Sequence, residues 1–187
     1  MPETDKLLED AELKMEDSVD ALARSLASVR TGRASPALIE NLQIDYYGAA
    51  VPLNQLASIA VPEARLLTVQ PWDKRSIPAV EKSILQADLG LNPASDGEII
   101  RIPIPPLTDE RRRDLAKLVG RRVEEGRVSV RNARRESVEQ ARALKKAKDI
   151  SEDEERRATD RLQKLTDSFV KKIADLGQAK EQELMEG

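Results

Sequence analysis

Nine of the ten prolines in this 187-residue chain lie between Gly32 and Leu107, and none follows Pro106. Inside a helix a proline removes one backbone donor and clashes with the preceding turn, at a cost of about 3 kcal/mol. Long helices are therefore confined to the two flanks, and the middle of the chain must fold in short pieces.

The flanks carry matching signals. Leu8, Ala11, Met15, Val19, Leu22, Leu26 and Val29 recur at steps of three and four, which predicts one helix from Glu3 to Thr31 with Gly32 just past its end and Arg30 in its last turn. After the prolines, Thr108 is placed to cap a second helix whose inner face is Leu115, Val119, Val123, Val130, Ala133, Ala141 and Leu144, running to about Lys148. Ser151 followed by Glu154 fits a capping box and starts a third helix, with Ala158, Leu162, Leu165, Phe169, Ile173 and Leu176 inward. Each stripe is narrow, so each helix is unstable alone in water and the three satisfy one another as an antiparallel bundle. Gly120 and Gly126 each weaken the second helix by about 1 kcal/mol relative to alanine. The spacing leaves open whether they are tolerated or permit close helix approach.

Between the flanks, "LQIDYY" and "IIRIPIP" alternate by twos, and "ASIAV" and "RLLTVQ" are short apolar runs bounded by proline and polar residues. "SIPAVEKSILQADLG" is a helix with Ser76 at its cap, Ile77, Val80, Ile84 and Leu85 inward, and Gly90 past its end. At least one of Tyr46 and Tyr47 is expected to pack in the small core, and Trp72 in that core or at an interface. The fold class is thus α+β: a discontinuous three-helix bundle formed by 1–31 and 107–187, with a small β/α/β domain, 32–106, inserted in it. The chain crosses twice, outward through Thr31, Gly32, Ala34, Ser35 and Pro36 and back through Pro105 and Pro106, and paired crossings make a bending joint.

Composition removes most chemistry. There is no cysteine and no histidine, so thiol nucleophiles, imidazole bases and the usual transition-metal ligands are missing together. An enzyme is not expected, nor a metal or cofactor; Gly32 sits in no phosphate-loop pattern. No run of about 18 apolar residues occurs, and the opening "MPETDKLLEDAEL" is acidic, which points to a cytoplasmic protein without a membrane partner. The chain is read as a monomer.

The net charge of −3 conceals a strong asymmetry, because Thr108–Lys148 holds 14 lysines and arginines against 7 acids. At 100° per residue Arg113, Arg127, Arg131, Arg134, Arg142 and Lys145 share one sector beside the apolar stripe. A solvated face paired with neighbouring acids is the bland explanation. Against it, the cations are mostly arginines, which fork onto phosphate oxygens, and no acid occurs between Arg127 and Arg135. A patch reading nucleic-acid backbone fits better. The aromatics lie elsewhere in the chain, so folded RNA recognised through its phosphates suits it more than base stacking does. The rival from another class is a coiled-coil scaffold or holdase whose bundle binds protein.

"VRTGRASPALIENLQIDYYG", "PLNQLASIAVPEAR", "IRIPIPPLTDERRRDLAKLV", "VRNARRE" and "KDISEDEERR", in this order, resemble the ribosome recycling factor family from end to end. The resemblance implies an L-shaped molecule that binds large-subunit ribosomal RNA through its bundle and splits the post-termination complex with elongation factor G and GTP. By the same resemblance, RNA contact falls to Arg30 and Arg33 in "VRTGR" and to Arg131, Arg134 and Arg135 in "VRNARR". Arg113 and Arg127 join them on the facing argument.

Overall fold

The computed structural model describes residues 2–186, with two compact units: Met1–Leu26 with Ala116–Gln182, and Ala27–Leu115 with Glu183–Gly187. The first is a bundle built from the greater part of α1 (Pro2–Ala27), α3 (Asp109–Lys146) and α4 (Glu152–Glu186), with the first turns of α3, to Leu115, in the second unit. Lys14 pairs with Glu136 at 2.9 Å, the Ser18 and Ser129 hydroxyls lie 2.6 Å apart, and Arg122 donates to Ser25, so α1 and α3 run antiparallel. Lys145 meets Glu155 at 3.3 Å, which sets α4 antiparallel to α3. The expected stripes fill the interior. Leu7, Leu8, Ala11, Ala141 and Leu162 form one continuous buried cluster, with Val138, Leu144 and Leu165 against it.

Local chemistry starts and stops these helices. Thr108 Oγ1 accepts from the Arg111 amide at 3.1 Å. Ser151 and Glu154 exchange the two bonds of the capping box, 3.1 Å from the Glu154 amide to Ser151 Oγ and 3.2 Å from the Ser151 amide to Glu154 Oε2. The first helix, by contrast, ends at Ala27 rather than Thr31. Gly32 does adopt a left-handed φ of 85°, but in a turn beyond the helix, and Arg30 lies outside any last turn.

The glycines separate by environment. A Cβ on Gly120 would meet nothing within 4 Å, whereas on Gly126 it would lie 3.3 Å from Leu22 Cδ2 and 3.4 Å from Ile173 Cδ1. Gly126 is therefore a point of close helix approach, and Gly120 is not. Gly177 is tighter than either, with Val123 Cγ2 only 2.6 Å from the added atom. Val123 is β-branched and held to one rotamer in a helix, so it cannot swing aside cheaply. Gly120→Ala should accordingly stabilise the protein by about 1 kcal/mol through helix propensity. Gly177→Ala should destabilise it by about 1 kcal/mol or more despite the same propensity gain. Urea unfolding of the two variants side by side checks the opposite signs.

The second unit holds a two-stranded hairpin, β1 (Gln43–Tyr46) with β2 (Ala49–Pro52), and an antiparallel sheet of order β3-β4-β6-β5. Its strands are β3 (Ala57–Glu63), β4 (Leu66–Pro71), β5 (Ala94–Ser95) and β6 (Ile100–Pro103). Tyr47 and Gly48 join β1 to β2 with φ of 52° and 84°, the paired left-handed conformation that a two-residue hairpin needs. Helix α2 (Ile77–Gln86) supplies Ile77, Val80 and Ile84 to an aliphatic core with Ile39, Ile44, Leu53, Leu67, Val69, Ile100 and Ile102.

Three expectations fail in this unit. Ser76 gives α2 no side-chain cap; its hydroxyl donates to the Asp73 carbonyl at 2.6 Å, and the Asp73 carboxylate caps the preceding 3₁₀ turn through the Arg75 amide at 3.0 Å. That backbone bond is the main reason the Asp73 carboxyl sits below the usual carboxylate range. Leu85 is 59 % exposed, because it is rotated about 100° from Ile84, away from the face filled by Ile77, Val80 and Ile84. Gly90 does lie past the helix end with a left-handed φ of 69°, and Asp88, at φ 54°, is left-handed before it. Trp72 is 69 % exposed and Tyr47 73 %, while Tyr46 is half-buried, stacks edge-on to Tyr47 at 4.6 Å and donates to Asp73 Oδ2 at 3.2 Å. The branched aliphatics already close this core, which leaves no interior space for aromatic rings.

Candidate nucleic-acid interface

Within the bundle, Arg131, Arg134, Arg135 and Arg142 of α3 line one groove of about 430 Å³, closed on its other side by Gln163, Thr166, Asp167 and Val170 of α4. Spacings of three, four and seven residues stack side chains on one helix face. The inward neighbours Val130, Ala133, Ser137 and Ala141 are buried, so this backbone is fixed from behind while the arginines project beside it. Ser137 is a buried polar residue in a stripe that hydropathy alone leaves with a gap.

Positive charge is in excess there, four arginines against two acids. Among the described residues, none of these four arginines carries an ion pair. The groove's two acids are Glu139 and Asp167, and Asp167 already accepts from Gln163 Nε2 at 2.9 Å. Arg134 is half-buried and its Nε has no acceptor among the described residues. Leaving a buried donor unpaired costs about 1 to 3 kcal/mol. A fold that retains such a donor beside three further guanidinium groups suits an anionic ligand.

The other candidates separate from this group. Arg127 is neutralised within its own helix by Glu124 at 2.7 Å, and Lys145 by Glu155 at 3.3 Å. Arg113 is exposed and belongs to the second unit, as do Arg30 and Arg33. Arg33 is exposed and makes no ion pair or hydrogen bond among the described residues. Arg30 is different, because its Nη2 donates to the Pro105 carbonyl at 2.8 Å and its Nη1 to the Leu89 carbonyl at 3.3 Å. Burial, and secondarily the charge of Arg111, hold its guanidinium below the ordinary range. Sequence reasoning missed these bonds because both acceptors are backbone carbonyls, which leave no trace in residue type.

The crossing residues also lie in the second unit. Thr31 and Gly32 are buried, and the Ala34 amide donates to the Ala64 carbonyl at 2.7 Å. Ser35 Oγ accepts from the Ala37 amide at 3.3 Å, capping a 3₁₀ turn that starts at Pro36. This unit is wider than the expected insertion 32–106, reaching from Ala27 to Leu115.

Residues 22–185 match the family model "Ribosome recycling factor". The chain is 51 % identical over 183 residues to the ribosome-recycling factor of Shouchella clausii, covering 98 % of this chain and 99 % of that one. Among solved structures it is similar to a solution structure of the ribosome recycling factor, with a TM-score of 0.80 and 44 % identity over all of both chains. A second is described as models for the T. thermophilus ribosome recycling factor and the E. coli elongation factor G bound to the E. coli post-termination complex. There the TM-score is 0.68 and the identity 46 %, over 97 % of this chain and 98 % of the other.

Proposed function

The chain belongs to the ribosome recycling factor family, a family of non-enzymatic translation factors, and from that premise we propose that it grips large-subunit ribosomal RNA through the arginine groove of its bundle. On this reading it works as a monomer in the cytoplasm with elongation factor G and GTP, and the post-termination complex is split into subunits. The observation that carries the RNA assignment is the group Arg131, Arg134, Arg135 and Arg142, which share one groove without acidic partners among the described residues. Guanidinium groups fork onto phosphate oxygens, and phosphate contacts need no aromatic platform. Arg33, exposed and unpaired, is a further hydrogen-bond donor to phosphate, and Arg113 contributes long-range attraction, whereas Arg127 is held by Glu124.

The protein's part is mechanical. The bundle anchors on RNA, and the segments Thr31–Pro36 and Pro105–Pro106 serve as the joint through which the second unit transmits the motor's push. Support for a shared assembly comes from the similar factor described together with elongation factor G on the post-termination complex. The test is light scattering of purified post-termination complexes, with and without this protein, in the presence of elongation factor G and GTP. Subunit splitting that requires all three components is expected; splitting that proceeds equally without the protein refutes the reading.

A further inference from the structure

Arg30 and Arg33 lie three residues apart in one motif, yet the structure gives them different surroundings. Arg33 is exposed and makes no hydrogen bond or ion pair among the described residues. Arg30 spends its two terminal nitrogens on the backbone of two other segments. Nη2 reaches the Pro105 carbonyl at 2.8 Å, and Nη1 reaches Leu89, in the turn after α2, at 3.3 Å. The same Nη1 lies 3.3 Å from where a Cβ would stand on Gly90, so a bare backbone at that position, itself at φ 69°, leaves room for the guanidinium.

The acceptor side explains why an arginine is needed. Pro105 is followed by Pro106, and neither residue has an amide hydrogen. The returning segment at this point can accept hydrogen bonds but cannot donate them, so its neighbour must bring the donors. Arginine presents several in a rigid planar fork, which lets one side chain hold two carbonyls from segments far apart in sequence. Just before this point the Ile104 amide donates to the Arg65 carbonyl at 2.7 Å, so the return run is pinned immediately upstream of the prolines.

We propose that Arg30 is a positioning residue that ties the chain leaving α1 to the chain approaching α3, and that Arg33 alone of this pair contacts RNA. The tie keeps the outgoing and returning runs at fixed spacing, so that force applied to the second unit is not lost in sliding between them. This rests on the recycling function proposed above, and the experiment is arranged so that the two ideas fail separately.

Splitting rates are measured against factor concentration for the wild type, Arg30→Ala, Arg30→Lys and Arg33→Ala, each at several salt concentrations, with amide hydrogen exchange on the same free proteins. Arg30→Ala is expected to lower the saturated splitting rate about tenfold or more while leaving the half-saturating concentration within about twofold. Its salt slope should match the wild type, since no phosphate contact is lost. Arg30→Lys, which can hold one carbonyl at a time, should recover part of the rate. Arg33→Ala should do the opposite, raising the half-saturating concentration and reducing the salt slope by about 1. In the free protein, Arg30→Ala should speed exchange at Ala87 and Ile104, whose amides donate to the Ser83 and Arg65 carbonyls close to the two tied positions, and Arg33→Ala should not.

An Arg30→Ala protein with an intact saturated rate but a weakened, less salt-dependent affinity would make Arg30 an RNA ligand and overturn the tie. Unchanged exchange at Ala87 and Ile104 would overturn it as well. If Arg30→Ala fails to fold, Arg30→Lys carries the same comparison. Failure of the wild type to split complexes would remove the proposed function, and the exchange measurement would still decide the tie.

Discussion

Replacing Arg131, Arg134 and Arg142 together by alanine should weaken ribosome binding by roughly two to four orders of magnitude while leaving the unfolding midpoint nearly unchanged. Each charge-assisted bond from guanidinium to phosphate is worth about 1 to 3 kcal/mol, and partial overlap among neighbours keeps the total below a simple sum. Stability is spared because none of the three is paired with an acid among the described residues, and the inward neighbours Val130, Ala133, Ser137 and Ala141 stay in place. Loss of three arginines should also flatten the plot of log affinity against log salt by about 2 to 3. Arg127→Ala serves as the control. Its charge is already neutralised by Glu124 at 2.7 Å, so affinity should move far less. Sedimentation of the variants with large subunits across a salt series reads both quantities. A loss of log affinity for Arg127→Ala as large as about one third of the triple variant's, its share of the charge removed, would mean that net charge, rather than this groove, governs binding.

The largest effect on stability is expected from Ile173→Ala. Ile173 is fully buried, and its Cδ1 and Cγ2 stand 3.4 and 3.7 Å from the position of an absent Cβ on Gly126. Truncating a buried isoleucine to alanine costs about 2 to 5 kcal/mol, depending on how far the surroundings collapse into the gap. Here the facing residue is a glycine, which has no side chain to offer, so the cost should fall in the upper half of that range. Against a total stability of about 5 to 15 kcal/mol this is severe. The geometry also specifies a rescue. Gly126→Ala added to Ile173→Ala should restore part of the loss, because its methyl group enters the vacated space and improves helix propensity. Urea unfolding of the two single variants and the double variant gives the coupling, and strict additivity would show that the two positions do not share a cavity.

Much of this architecture is readable from residue order because the signals are local. The Ser151 and Glu154 box forms as the spacing requires, Thr108 caps α3, and the flanks, whose one proline is Pro2 at the first turn of α1, become α1, α3 and α4. Non-local decisions were not legible. The three-to-four spacing runs on through Val29, which is buried as the pattern demands, but the helix has already ended at Ala27. Periodicity cannot tell a helical residue from one that reaches the same depth by a turn. Trp72 carries the hydropathy of a core residue and stands in solvent, since burial depends on what else competes for the interior. Gly177 drew no attention in the sequence although it allows the tightest helix contact, because the partner that requires it, Val123, is 54 positions away.

The groove was legible in part for the same reason. Helical facing brings Arg131, Arg134 and Arg142 together, yet it ranks Arg127 and Lys145 equally with them. Only the acids Glu124 and Glu155, one turn away on α3 and across on α4, distinguish occupied cations from open ones.

The tie from Arg30 to Pro105 has a consequence for how the chain reaches this structure. Helix α1 is made first, but its partners α3 and α4 come more than 80 residues later, so the bundle is a high-contact-order object. Closing so long a loop in a disordered chain costs entropy that must be met before any bundle contact forms. A middle segment that folds first and clasps its own two ends at Arg30 and Pro105 shortens that loop from 74 intervening residues to a single side-chain contact. On this reading the second unit is a template for assembling the bundle. Variants that loosen the clasp should refold slowly even where their final stability is nearly intact.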